Sequence, residues 1–217
     1  MEEEIKKVIK HTGTSILGIV CKDGIVMAGD RQITAGYIVM SKREQKVVQI
    51  NDYLVTSGTG NASDIQLFTK VLPAELKLKE YQSGERPSVK QAANLTAMTA
   101  FRNIRQPTMI PSIVGTLLAG VNEDGTTELY TIEPAGSVLK VEDYDANFGN
   151  GMPYILGVME ANYKKDITVK EGVELAIQCL KAATQRDIAS GYGIDVFTIT
   201  KDGIKHVIAK EITSELK

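Results

Sequence analysis

Thr12-Gly13-Thr14-Ser15-Ile16-Leu17-Gly18-Ile19-Val20-Cys21-Lys22-Asp23-Gly24-Ile25-Val26-Met27-Ala28-Gly29-Asp30 is the stretch whose reading decides the fold. Two apolar runs flank Asp23-Gly24, and an Asp-Gly pair so placed is the strongest short-range hairpin signal. Strands are therefore predicted near 14–21 and 24–30. Ile25-Val26-Met27-Ala28-Gly29 has no polar face, so the second strand should be buried on both sides. Asp124-Gly125 and Asp202-Gly203 repeat the hairpin signal further along. Other strands are predicted near 36–40, 45–50, 53–58, 112–121, 126–132, 137–146, 194–200 and 204–208.

Helices are expected in two pairs, near 61–81 and 88–105, then near 152–163 and 169–186. Ser88-Val89-Lys90-Gln91 and Thr168-Val169-Lys170-Glu171 have capping-box spacing, which starts a helix by satisfying orphan amides at both ends of the box. Ala92, Leu95, Met98 and Phe101 recur at helical spacing, as do Val169, Val173, Ile177 and Leu180. Pro73 should kink or restart the first helix. The order is strands, two helices, strands, two helices, strands. Antiparallel hairpins with segregated helix pairs indicate α+β. Two stacked antiparallel sheets between helix pairs, a four-layer α-β-β-α sandwich, would bury every apolar stripe in one domain.

The chain has 217 residues and a formal net charge of −2 with no long basic run, which argues against nucleic acid or an anionic membrane as partner. Cys21 and Cys179 lie in apolar stretches and read as reduced core residues of a cytoplasmic protein. His11 and His206 are far apart in sequence, so no metal or other cofactor is expected. Residues 1–13 contain no continuous apolar stretch and do not read as a secretory signal. A frayed terminus would have the same composition. No window approaches the length of a membrane span.

Cutting the chain after Gly13 would make Thr14 the first residue. An N-terminal threonine carries a hydroxyl nucleophile and a free α-amine of pKa about 7.7–8.0, so one residue holds both nucleophile and base. Gly-Thr also occurs at Gly58-Thr59, Gly115-Thr116 and Gly125-Thr126, so the dipeptide alone decides nothing. Asp30 ends an apolar strand and needs a cation. Lys46 shares a strand face with Val48 and Ile50 and could supply it, although an edge lysine with its head in water would show the same pattern. Gly60 lies in a strand-to-helix turn, where amides can point at developing negative charge or simply begin a helix capped by Asn61 or Ser63. Asp187 ends a helix at the unfavourable pole of its macrodipole, next to Ser190 and Gly191; a polar helix end with Gly191 as cap is the plainer reading. Phe148-Gly149-Asn150-Gly151 is a glycine-rich turn with the same two readings.

Taken in order, Gly13-Thr14, Ala28-Gly29-Asp30-Arg31, Lys46, Gly60 with Asp64, the Gly149–Gly151 turn before Gly157-Val158-Met159-Glu160, and Arg186-Asp187-Ile188-Ala189-Ser190-Gly191 resemble the β-type subunits of archaeal proteasomes, which are N-terminal nucleophile hydrolases. The resemblance runs from about Thr12 to about Gly203. It implies a propeptide over 1–13, self-cleavage between Gly13 and Thr14, and a single hydrolase domain over 14–217. Thr14 would be the nucleophile, Lys46 and Asp30 its charge pair, Gly60 the oxyanion amide, and Asp187 and Ser190 the groups that position amine and water. Asn150 stands where the family usually has serine, and Gln32 where arginine is common. The primary specificity pocket would use Ile33, Thr34, Glu44, Val48, Gly58, Ala62 and Gln66, with Gly58 as a roomy floor.

The resemblance also implies partners: α-type subunits, other β subunits in a ring of seven, unfolded polypeptide substrates and, indirectly, an ATPase unfoldase. Two other readings compete. One is a non-catalytic ring subunit that keeps its leader as a scaffold. The other is the simpler bacterial two-ring peptidase, which Ala28-Gly29-Asp30 permits but the Arg186–Gly191 segment fits less well.

Overall fold

Among the described residues every strand finds an antiparallel partner, and the two large sheets stack on each other with helices on their outer faces. The computed structural model describes residues 11–109 and 112–211, so of the leader only 11–13 fall within it. The strands are β1 (His11–Thr12), β2 (Ile16–Cys21), β3 (Gly24–Asp30), β4 (Ile33–Ala35), β5 (Ile38–Ser41), β6 (Val47–Gln49), β7 (Leu54–Asn61), β8 (Val114–Val121), β9 (Thr127–Ile132), β10 (Val138–Lys140), β11 (Tyr144–Asp145), β12 (Gly193–Thr200) and β13 (Gly203–Glu211). The helices are α1 (Ala62–Ser83), α2 (Val89–Arg105), α3 (Met152–Asn162) and α4 (Val169–Arg186).

One sheet runs β1-β7-β8-β9-β10, with β6 also paired to β7; the other runs β11-β2-β3-β12-β13. β4 and β5 form a small separate hairpin. The β2–β3 hairpin has Cys21 opposite Gly24, with Asp23 in the turn. Period-two alternation then sorts its side chains. Ile16, Ile25 and Met27 join Val55, Leu117 and Leu129 in the core between the sheets. Leu17, Ile19, Val26 and Ala28 face Ile155, Met159, Ala176 and Cys179 of α3 and α4. All seven residues of β3 are buried, as its lack of a polar face requires. Helices α1 and α2 cover the outer face of the first sheet through Leu72, Leu76, Val89 and Ala92. This is the α+β four-layer sandwich.

Both capping boxes form. Ser88 Oγ accepts the Gln91 amide at 3.2 Å, and Thr168 Oγ1 accepts the Glu171 amide at 3.2 Å. The helix faces differ from expectation. Met98 and Phe101 are exposed, and α2 buries Val89, Ala92, Ala93, Thr96 and Ala97 instead. Small side chains let that helix lie close on the sheet. Likewise α4 buries Gly172, Leu175, Ala176, Cys179, Leu180 and Ala183, with Val169 and Val173 at the margin. α1 passes through Pro73 as one element of 22 residues rather than restarting there. The predicted strand near 36–40 is β5, and an unpredicted strand, β4, precedes it across a turn at Gly36, which has φ 61°. The one near 137–146 is also two, because the chain changes sheets between β10 and β11.

Cys21 and Cys179 are free and buried, and burial pushes each thiol up from 9.0 to about 12. A thiol whose pKa is raised on folding contributes stability below its unfolded value, and loses it as pH rises toward the folded value. We expect both thiols to resist a maleimide at neutral pH, and the melting temperature to fall as pH rises above about 9. Rapid labelling of either thiol in the folded protein would contradict this packing.

Candidate active site

The start of β2, the ends of β3 and β7, the residue before β6 and the loop after α4 meet at one end of the sandwich. Asp30, at the end of β3, is fully buried. Its Oδ1 accepts Lys46 Nζ at 2.7 Å and the Ser15 amide at 2.9 Å. Its Oδ2 accepts the amides of Gln32 and Gly191, each at 3.0 Å. Four donors, one of them cationic, replace the water that this carboxylate gives up. The demand for a cation at the end of an apolar strand is met by Lys46.

Lys46 is buried beside the core residue Val47, so it is not an edge lysine with its head in water. Its ammonium also donates to the Gly13 carbonyl oxygen at 2.9 Å. Burial pushes the Lys46 ammonium below the usual lysine range, and the adjacent Asp30 carboxylate pulls the other way. A buried cation therefore touches the carbonyl of the peptide bond that links Gly13 to Thr14. Thr14 is buried, and its own carbonyl accepts the Gly151 amide at 3.3 Å. The Gly13 amide donates to Thr34 Oγ1 at 3.3 Å.

The loop after α4 closes the inner side. Asp187 caps the helix in extended conformation, so Gly191 is not the cap. Its carboxylate accepts Ser190 Oγ at 2.6 Å and the Ala189 amide at 3.1 Å. Because the Ser190 proton goes to Asp187, Ser15 Oγ is the donor in the 2.7 Å contact between Ser15 and Ser190. This local demand explains an aspartate at a helix C-terminus. Gln32 sends its side-chain amide to the Ile188 carbonyl at 2.7 Å and so ties β3 to the same loop.

Gly60 pairs with Thr12 across β7 and β1. It has φ 124°, and a Cβ there would collide with the Ile113 carbonyl, so only glycine fits. Asn61 caps α1 without a side-chain hydrogen bond. Asn150 is exposed between Gly149 and Gly151. Beside Thr14 a small cavity is lined by Ile33, Glu44, Gln45, Lys46, Gly58, Ala62, Ile65 and Gln66. Val48 and Thr34 lie outside that lining. Gln66 Nε2 donates to Glu44 Oε1 at 3.3 Å on the exposed rim. Ile65 occupies the space beneath Gly58, within 3.0 Å of where a Cβ would stand.

A buried carboxylate–lysine pair, a peptide carbonyl in its grip and a threonine on the far side of that peptide form a constellation suited to acyl transfer. The family model for proteasome subunits matches residues 10–199. The chain belongs to the proteasome subunit family.

Its curated relatives include proteasome β subunits of archaea. "Proteasome subunit beta 1" of Thermococcus onnurineus is 39% identical over 96% of this chain and 98% of its own length. "Proteasome subunit beta" of Nanoarchaeum equitans is 38% identical over 88% of this chain and 95% of its own length. The protein of that name from Methanobrevibacter smithii is 38% identical over 94% of this chain and 95% of its own. The proteasome family assembles from α and β subunits in rings, and its β branch is a branch of peptidases. Among the described residues no helix is long and apolar enough to cross a membrane.

Sequence reasoning missed Ile65, Ser15 and Asn147. Ile65 was within reach, since it follows Ala62 by one helical turn and so shares its face. Ser15 and Asn147 carry no pattern signal, because their partners, Ser190 and Thr59, are far away in sequence.

Proposed function

We propose that this proteasome subunit is a catalytic β subunit, a threonine peptidase that activates itself by cutting between Gly13 and Thr14. The observation that carries this reading is the Lys46 ammonium, 2.7 Å from Asp30 and 2.9 Å from the Gly13 carbonyl oxygen. Residues 1–13 are the propeptide, and 14–217 form the mature N-terminal nucleophile hydrolase domain.

In the first step Thr14 Oγ attacks the Gly13 carbonyl carbon. Lys46 stabilises the negative charge that develops on the carbonyl oxygen. The bond from the Gly13 carbon to the Thr14 nitrogen breaks, that nitrogen takes the hydroxyl proton, and an ester remains on Oγ. Water cleaves the ester, giving the leader a carboxylate and Thr14 a free hydroxyl and α-amine. In later turnovers the amine takes the hydroxyl proton while Oγ attacks a substrate carbonyl, and then hands the proton to the leaving amine. Gly60 supplies the oxyanion amide. Asp187 and Ser190, with Ser15 behind them, position the amine and the hydrolytic water. Asn150, exposed in the turn before α3, stands by family resemblance where a serine would lie beside the amine and water.

The working form is a cytoplasmic two-component particle. β rings, seven-membered by family resemblance, stack with α-type subunits, receive unfolded polypeptide and are fed by an ATPase unfoldase. Aliphatic Ile33 and Ile65 on the pocket wall and floor favour a large side chain before the cut, either apolar or basic. Glu44 adds little for a basic side chain, because it sits at the exposed rim. The test is a fluorogenic peptide panel varied only at that residue, presented to particles co-assembled with an α-type subunit. Large apolar or basic residues should be cleaved fastest and acidic ones slowest. No hydrolysis by assembled particles would refute the catalytic reading, and a preference for acidic residues would refute the pocket.

A further inference from the structure

Asn147 adopts φ 48°, a left-handed conformation that non-glycine residues seldom take, although asparagine tolerates it better than most. It is only 3% exposed and follows β11, on the chain leaving the sheet that contains β2. Its side chain crosses to the other sheet and reaches three strands. Nδ2 donates to the Thr116 carbonyl at 3.3 Å and to Thr131 Oγ1 at 3.0 Å. Those two acceptors fix the amide orientation, so Oδ1 faces Thr59 and accepts its hydroxyl at 2.7 Å. Thr59 is itself only 3% exposed. Opposite, a side chain at Gly115 would collide with both Asn147 Oδ1 and Thr59 Oγ1, so β8 leaves the pair its space.

The two partners stand next to the two halves of the site. Thr59 immediately precedes Gly60. Asn147 leads into the Gly149–Gly151 turn, whose Gly151 amide holds the Thr14 carbonyl at 3.3 Å. A buried hydrogen bond between neutral groups thus joins the segment carrying the oxyanion amide to the segment gripping the nucleophile's residue.

We propose that Thr59 and Asn147 are positioning residues that set the Gly60 amide relative to Thr14. This rests on the roles given above to Gly60 and Thr14. A plain structural pair would contribute only stability. A positioning pair acts in the transition state, where a small misplacement of an oxyanion donor lowers turnover without weakening ground-state binding.

The test uses the full chain co-assembled with an α-type subunit. Thr59→Val removes the hydroxyl at nearly constant volume, and Thr59→Ser restores it. Asn147→Gly keeps the left-handed backbone and deletes the amide. Thr59→Val should lower kcat on the order of tenfold with KM within about twofold, and should weaken a peptide boronate by a similar factor. Thr59→Ser should recover most of the loss. Asn147→Gly should reproduce it, and the double variant should be no slower than the worse single, since each removes the same contact. Unchanged kcat in both Thr59→Val and Asn147→Gly would overturn the inference, as would a loss that Thr59→Ser shares. An active wild-type particle with equally active variants defeats this inference alone. An inactive, unprocessed wild-type particle defeats it together with the function on which it rests.

Discussion

Thr14→Ala is expected to abolish both self-cleavage and peptide hydrolysis while leaving a folded chain that still carries residues 1–13. The substitution removes the hydroxyl that attacks in either reaction, and no other nucleophile replaces it beside the cavity that Thr14 lines with Lys46 and Gly58. The effect should be near-total, because removing the nucleophile of a catalytic unit costs roughly as much as removing the whole unit. Stability should change by no more than about 1–2 kcal/mol, since only two heavy atoms are removed. Thr14→Ser keeps a hydroxyl and should retain processing. Peptidase activity and intact mass, measured on the same assembled sample, check the expectation. Activity in Thr14→Ala would place the nucleophile elsewhere.

The second large effect is expected at Lys46. Lys46→Ala removes the cation from Asp30 and the donor from the Gly13 carbonyl in one change. Loss of one oxyanion-type donor slows self-cleavage by roughly a hundred- to a thousandfold, and losing the charge that favours deprotonation of the nucleophile slows hydrolysis as well. Processing and hydrolysis should fall together. The fold should survive better than a bare buried charge suggests, because three backbone amides still hold Asp30. Lys46→Arg should not rescue activity. A guanidinium is larger and always charged, whereas burial holds the Lys46 ammonium below the usual lysine range. Near-normal turnover in Lys46→Ala would reduce this pair to a structural ion pair.

Local chemistry explains what the sequence disclosed. Asp23-Gly24 between apolar runs could only be a hairpin, and the β2–β3 pair closes at Cys21 and Gly24. The capping boxes located the starts of α2 and α4, because a box satisfies amides only at a helix N-terminus. Helix faces were harder. Met98 and Phe101 fit a helical period, but the sheet accepts the alanine side of α2, whose small residues permit close approach. Hydrophobicity alone does not reveal which of two adjacent stripes has a flat surface to meet. In the same way Pro73 allowed either a kink or a restart, and α1 continues past it as one helix.

The site divides along the same line. Asp30 and Lys46 stood out because charge in an apolar run demands a partner, and the structure pairs them at 2.7 Å. Gly60 was legible as a glycine in a strand-to-helix turn. Thr59 and Asn147 were not, because two small polar residues 88 positions apart declare nothing until the sheets stack. Ser15 is hidden for the same reason, since its partner Ser190 comes from a loop 175 positions away. Family resemblance supplied roles for Thr14, Gly60, Asp187 and Ser190 that composition and periodicity could not.

The central claim is that Gly13–Thr14 is a bond this chain cuts for itself, and the intact mass of the wild-type chain after co-assembly with an α-type subunit tests it most directly. The expected product is a chain beginning at Thr14, lighter by residues 1–13, that appears together with peptidase activity. An active particle whose β chain still carries residues 1–13 would contradict it, because no free α-amine would then exist at Thr14.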